Sequence, residues 1–263
     1  MIDFLKESTF AVNEVLSKAW TVTKRHYLSI ATLCFLMFIT SNASFLMTFF
    51  LKDVSKGLNI LMAVVFIFFY FTINLALFKY VFHLLDDEEH DVSIVSTIPT
   101  RQQIIRFLVA TVYFSLCIFG VYLVVIVVGL PFVYLPGINI NKVTNIAVPV
   151  GLVAIFITWV RISFFPFFII DRNLGPFASI KYSLATTKGN FTKIFMLLLV
   201  LGSFQMLYLF FGFIQWPIVA FFTNVLSSFI IIPLSSVALT IAYRKMMSEY
   251  KGEDEPDIIH NIV

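Results

Sequence analysis

Charge is what this chain has least of. Only 13% of its 263 residues are Asp, Glu, Lys or Arg, against about 25% in an average soluble domain, and a water-facing globular surface cannot be built from so few. Cysteine is nearly absent, with Cys34 and Cys117 alone, and both fall within apolar runs, which excludes a disulfide framework. The four His (26, 83, 90 and 260) have no neighbours at the spacing a zinc site needs. No glycine-rich phosphate loop, Gly-x-Ser-x-Gly elbow or His-Glu-x-x-His helix occurs, so catalysis is not expected and no cofactor or metal is implied. The period-2 alternation of a membrane barrel is missing too.

What remains is apolar. Residues of the hydrophobic set make up 60% of the chain, and 32 of them are Phe. Six uncharged or nearly uncharged runs are long enough to cross a bilayer, which takes about 20 residues. They lie near Tyr27–Leu51, Leu58–Phe82, Ile104–Val128, Asn145–Ile170, Phe191–Ile214 and Pro217–Tyr243. Backbone in lipid must satisfy its own hydrogen bonds, so these runs are read as helices. The expected fold is an all-α integral membrane protein of six transmembrane helices arranged as three hairpins.

Lys and Arg are retained on the cytoplasmic side during insertion. With both termini inside, 15 basic residues face inward, against Lys52, Lys56 and Lys142 in the outer connections. Both termini are therefore expected in the cytoplasm. The first 26 residues are amphipathic: Ile2, Leu5, Val12, Leu16, Ala19 and Trp20 share one side at 100° per residue, with Asp3, Glu7, Glu14 and Lys18 opposite. They lack the apolar core of a secretory signal and suit a helix lying along the membrane surface or against the other helices. A second such helix is expected in "NLGPFASIKYSLATTKGN", with Pro176 in its first turn, Gly189 just past its end, and Phe177, Ile180 and Leu184 on its apolar side. Before the third span, "VSIVSTIPTRQQ" is broken by Pro99, and one or two turns are expected there.

Thr23-Lys24, Thr100-Arg101 and Thr187-Lys188 each precede an outgoing span, and each returning span carries a basic residue near its inner end: Lys79, Arg161 and Arg244. The separations are 55, 60 and 56 residues (79−24, 161−101, 244−188). A fixed period marks a repeated unit, here about 1–90, 91–172 and 173–248 within a single membrane domain, followed by a polar tail at 249–263. Three copies inserted alike imply a pseudo-three-fold repeat of the parallel kind. Interfacial basic and aromatic anchors in any membrane protein would leave part of the same trace.

The stretch 160–194, "VRISFFPFFIIDRNLGPFASIKYSLATTKGNFTKI", resembles a segment shared by a loose superfamily of bacterial six-span proteins. That superfamily includes the membrane domain attached to some glycerophosphodiester phosphodiesterases, together with stand-alone groups. The matching positions are Arg161, Pro166, Asp171, Ala178, Ser183, Thr187, Lys188, Gly189, Asn190 and Phe191. The resemblance implies a six-span fold in a bacterial cytoplasmic membrane. It carries no phosphodiesterase activity over, because the hydrolase domain has no counterpart in this sequence.

Two sets of residues are candidates for function. Lys24, Lys79, Arg101, Arg161, Lys188 and Arg244 are expected to ring the inner mouth of the bundle and hold anionic lipid headgroups. Asn224, Ser227, Ser228 and Ser235 form a polar stripe in the sixth span, where interhelical hydrogen bonding and a substrate path compete as explanations. Asn42, Asn74 and Gln205 are the other polar groups at depth. The acidic run "DDEEH", Asp86 to His90, is more simply a solvated loop. The expected function is a non-catalytic multi-pass protein that organises or binds lipid or partner proteins at the inner leaflet; the alternative is a permease for an amphipathic or lipid-like substrate. Membrane lipids are the expected partners, with a protein partner or a second copy of the chain possible and nucleic acid not expected.

Overall fold

The computed structural model describes residues 10–51, 55–86, 93–134 and 140–250. Ile2, Asp3, Leu5 and Glu7 of the first amphipathic stretch, positions 87–90 of the acidic run and 251–263 of the tail lie outside them. The described residues form helices and no strand: α1 (Val12–Arg25), α2 (Tyr27–Leu51), α3 (Lys56–Asp86), α4 (Arg101–Gly129), α5 (Ile140–Ile162), α6 (Phe165–Asp171), α7 (Pro176–Thr187), α8 (Phe191–Phe213), α9 (Pro217–Leu226) and α10 (Ile232–Glu249). A single 3₁₀ turn, Ile94–Thr97, precedes α4, as Pro99 leads one to expect. Six stretches are long and apolar enough to cross a membrane: α2, α3, α4 with the turn after it, α5 with α6, α8, and α9 continuing into α10. This is an all-α, six-span architecture.

The second and third spans are longer than their hydropathy marks. They begin at Lys56 and Arg101, and the second runs on to Asp86. Charged residues at a helix end reach water without breaking the backbone ladder, so an apolar run marks only the lipid-covered part of the helix. Large apolar side chains such as Leu28, Phe45, Phe50, Val112 and Phe213 are exposed on the chain itself, as lipid-facing positions are.

The chain forms two compact bodies, one of Ile105–Phe191 and one of Ser8–Ile104 with Thr192–Glu249. In the second, α2 packs on α3, and α1 packs on α10. The buried stripe of α1 is Val15, Ala19 and Thr23, spaced four residues apart. Trp20, expected on the apolar side, is instead 52% exposed. Small Val, Ala and Thr side chains allow close approach to α10, which turns the indole outward to where an interfacial Trp is favoured.

In the first body the fourth span is not continuous. Pro166 lacks an N–H and its ring clashes with the carbonyl four residues back, and α5 accordingly stops at Ile162 and α6 starts at Phe165. The predicted surface helix is α7, with Pro176 in its first turn and Gly189 past its end at φ 82°. Its packed face differs from expectation. Ile180 and Leu184 are buried, but Phe177 is 53% exposed, and Ser179, Ser183, Thr186 and Thr187 are buried instead.

Candidate functional site

Those buried hydroxyls do the work of a cap. When α5 breaks before Pro166, its last carbonyls lose their helical partners. Ser183 Oγ and Thr187 Oγ1 donate to the Arg161 carbonyl at 2.8 and 3.1 Å, and the Phe164 N–H donates to Ser183 Oγ at 3.2 Å. The Arg161 guanidinium returns the contact, donating to the Leu184 carbonyl at 3.3 Å. Arg161, Pro166, Ser183 and Thr187, scattered over 27 positions of sequence, are thus one clasp between the broken fourth span and α7. Arg106 of α4 also donates to the Asn173 carbonyl beyond α6.

The second body repeats the device on a smaller scale. Lys79 Nζ donates to the Ile98 carbonyl at 3.1 Å, so a basic residue of the returning span again holds the segment that precedes the next outgoing one. Arg244 behaves differently: it donates to the Phe82 carbonyl at 3.2 Å, pairs with Asp86, and lies 5.4 Å from the centre of the Phe82 ring. Lys245 beside it reaches Glu14 of α1 at 3.0 Å. These bonds anchor the helix ends, and in Arg244 and Lys245 the charge is matched by a carboxylate. Lys24, Arg101 and Lys188 are exposed.

The three Thr of the Thr-basic signposts have three different tasks. Thr187 bonds to Arg161. Thr100 caps α4 in a capping box: the Gln103 N–H donates to Thr100 Oγ1 at 3.3 Å, and the Thr100 N–H donates to Gln103 Oε1 at 3.0 Å. Thr23 is buried, and its hydroxyl has no hydrogen-bond partner among the described residues. The capping box was legible in "TRQQ" as Thr-x-x-Gln before an apolar run.

The polar stripe of the sixth span falls on an irregularity. Between α9 and α10, Ser227–Ile231 form a π-turn. Pro233 explains it. Residue 233 would ordinarily donate to the carbonyl of Phe229, but proline has no N–H to give, and its ring pushes that carbonyl aside. The Ile232 N–H bonds instead to the Ser227 carbonyl, five residues back, and the Phe229 carbonyl accepts from the Tyr27 hydroxyl of α2 at 3.0 Å. In lipid such a carbonyl must find a donor. Phe229 also packs its ring on Phe35 and Phe38 of the same helix.

Ser227 and Ser228 are buried within this turn, and Ser227 Oγ lies 3.5 Å from Gln205 Oε1 of α8. Ser235 and Asn74 are half-buried. Asn42 bonds to its own helix at the Phe38 carbonyl, 2.7 Å away, as do Thr32, Thr72 and Thr158 to carbonyls four residues back. Asn224 sits apart from the serines, in a cleft of about 490 Å³ with Tyr208 and Gln215.

Among the described residues no three His, Cys, Asp or Glu converge on a metal-sized site, and Cys34 and Cys117 are free thiols, one buried and one exposed. The arrangement offers hydrogen bonds and cations at helix ends, which is binding chemistry. No family model, curated protein or solved structure matches this chain, so the chemistry of its own residues carries the functional argument.

Proposed function

We propose that this chain is a non-catalytic multi-pass membrane protein that binds anionic lipid headgroups along the basic ends of its helices, on the side where both termini lie in the cytoplasm of a bacterial cell. The observation that supports this best is α1. Its buried stripe is turned toward α10, while Trp20, Lys24 and Arg25 face outward. A Trp one turn from a Lys is the pairing that a headgroup layer favours, and each basic group near an anionic surface contributes about 1 kcal/mol. Arg101 at the start of α4 adds an exposed cation in the same body. In the other body, Lys188 is exposed beside the clasp that Arg161 helps to form.

The test is native mass spectrometry of gently extracted protein. Lys24→Gln with Arg101→Gln is expected to lower retention of phosphatidylglycerol roughly tenfold relative to phosphatidylcholine. Retention equal to that of the unaltered chain would overturn the proposal. A second reading, a permease for an amphipathic substrate, draws on the amide of Asn224 in its cleft; substrate flux in vesicles that Asn224→Leu abolishes would favour it.

A further inference from the structure

The cleft that holds Asn224 lies where α8 and α9 are joined by a tight turn. Asn224 is seven residues beyond the start of α9 and Tyr208 is five before the end of α8, so at 1.5 Å per residue both sit roughly 8 to 10 Å along their helices from the turn. The turn itself is a Schellman motif. The Trp216 N–H donates to the Phe211 carbonyl and the Gln215 N–H to the Gly212 carbonyl, and the Trp216 and Phe211 rings stack with centroids 6.2 Å apart, the apolar contact that usually accompanies this motif. Glycine is the residue such a turn favours at its left-handed position. Here that position is Gln215, at φ 59°, and its side chain lines the cleft.

Three polar groups therefore line one cleft beside the turn: two amides and a phenol. None of the three has a side-chain hydrogen-bond partner among the described residues, whereas Thr223, next to Asn224, bonds to the Val219 carbonyl. No charged residue lines the cleft, and Gly212 leaves its wall open, since a Cβ there would meet no heavy atom within 4 Å. A volume of about 490 Å³ falls within the roughly 300–1,000 Å³ usual for small-molecule sites.

We infer that this cleft seats an uncharged amphiphile, a lipid of the diacylglycerol class whose hydroxyl and ester groups are hydrogen-bonded by Asn224, Gln215 and Tyr208. Amides and a phenol supply both donors and acceptors, which matches hydroxyl and ester groups. No basic side chain lines the cleft to pair with a charged headgroup. The site is separate from the basic faces of the helices and does not depend on the lipid binding proposed for them.

The test uses the full chain in phosphatidylcholine nanodiscs with a photoactivatable diacylglycerol, and in parallel a photoactivatable phosphatidylglycerol with the same acyl chains. Labelled peptides are mapped by mass spectrometry. Diacylglycerol is expected to label 208–224 preferentially, and Asn224→Leu or Gly212→Leu to reduce that labelling about fivefold or more, the order given by one lost hydrogen bond. Gln215→Gly separates binding from folding: it removes an amide while giving the turn the residue it favours, so labelling falls while thermal stability holds or rises. Lys24→Gln with Arg101→Gln leaves labelling unchanged. Equal labelling by phosphatidylglycerol, or labelling that survives both Gln215→Gly and Asn224→Leu, would overturn the inference.

Discussion

Gln215 and Tyr27 show at the level of single residues how a local irregularity is stabilised from outside the segment that carries it. A non-glycine residue in the left-handed region costs about 1 kcal/mol, so Gln215→Gly is expected to raise stability by about 0.5–1 kcal/mol, seen as a higher midpoint in thermal unfolding in detergent. Tyr27→Phe does the reverse by removing the donor that serves the Phe229 carbonyl. A hydrogen bond between membrane helices contributes about 0.6 to 1.7 kcal/mol, and a loss of that order is expected. The cause is tested in a double-mutant cycle with Pro233→Ala, which restores an N–H at position 233. If the missing N–H is what makes Tyr27 necessary, the two changes are non-additive, and Tyr27→Phe costs measurably less in the alanine background. An equal cost in both backgrounds would refute that account of the π-turn.

At the level of elements, the clasp between the end of α5 and α7 makes two short helices dependent on one another. Ser183→Ala removes the acceptor of the Phe164 N–H and one of the two hydroxyls on the Arg161 carbonyl. Hydrogen exchange at Phe164 is therefore expected to rise at least tenfold, and Ser183→Ala with Thr187→Val to cost about 2 kcal/mol, since each buried hydrogen bond contributes about 1 kcal/mol. Much of this element pattern was legible in the sequence. Long apolar runs announce membrane helices, Pro176 and Gly189 bracket α7, and Pro99 limits the segment before α4 to one turn. The packed face of α7 was not legible. Helical periodicity groups Phe177 with Ile180 and Leu184 on one apolar side and gives no reason to bury the serines. The neighbour of α7 is a broken helix end with carbonyls to satisfy, so hydroxyls are buried there and Phe177 is left to cover other surface. Gln215 left no trace in the sequence, since its role arises from a backbone conformation.

At the level of the whole molecule, the proposed orientation puts the hairpin turns on one side of the membrane and the basic helix ends on the other, which is open to test. Ser55→Cys, in the turn between α2 and α3, is expected to react with a membrane-impermeant maleimide on intact cells, and Lys18→Cys in α1 only after permeabilisation. Cys34 and Cys117 are first replaced by Ala. The opposite labelling pattern would invert the topology and move the basic helix ends to the outer surface. Arg244 and Lys245 tie the last span to α3 and α1, but the two contacts differ in worth. An exposed pair such as Lys245 with Glu14 contributes a few tenths of a kcal/mol, whereas Arg244→Ala also removes a carbonyl bond and the ring contact and is expected to cost 1 kcal/mol or more in the same unfolding assay.

The π-turn also sets the phase of the last span. A turn closed over five residues holds one residue more than the α-turn it replaces, so everything after Ile231 is rotated by one residue's worth of angle relative to an unbroken helix. Asn224 and Ser235, eleven positions apart, would share a face on a regular α-helix; across the π-turn they do not. The span behaves as two half-helices with separate faces.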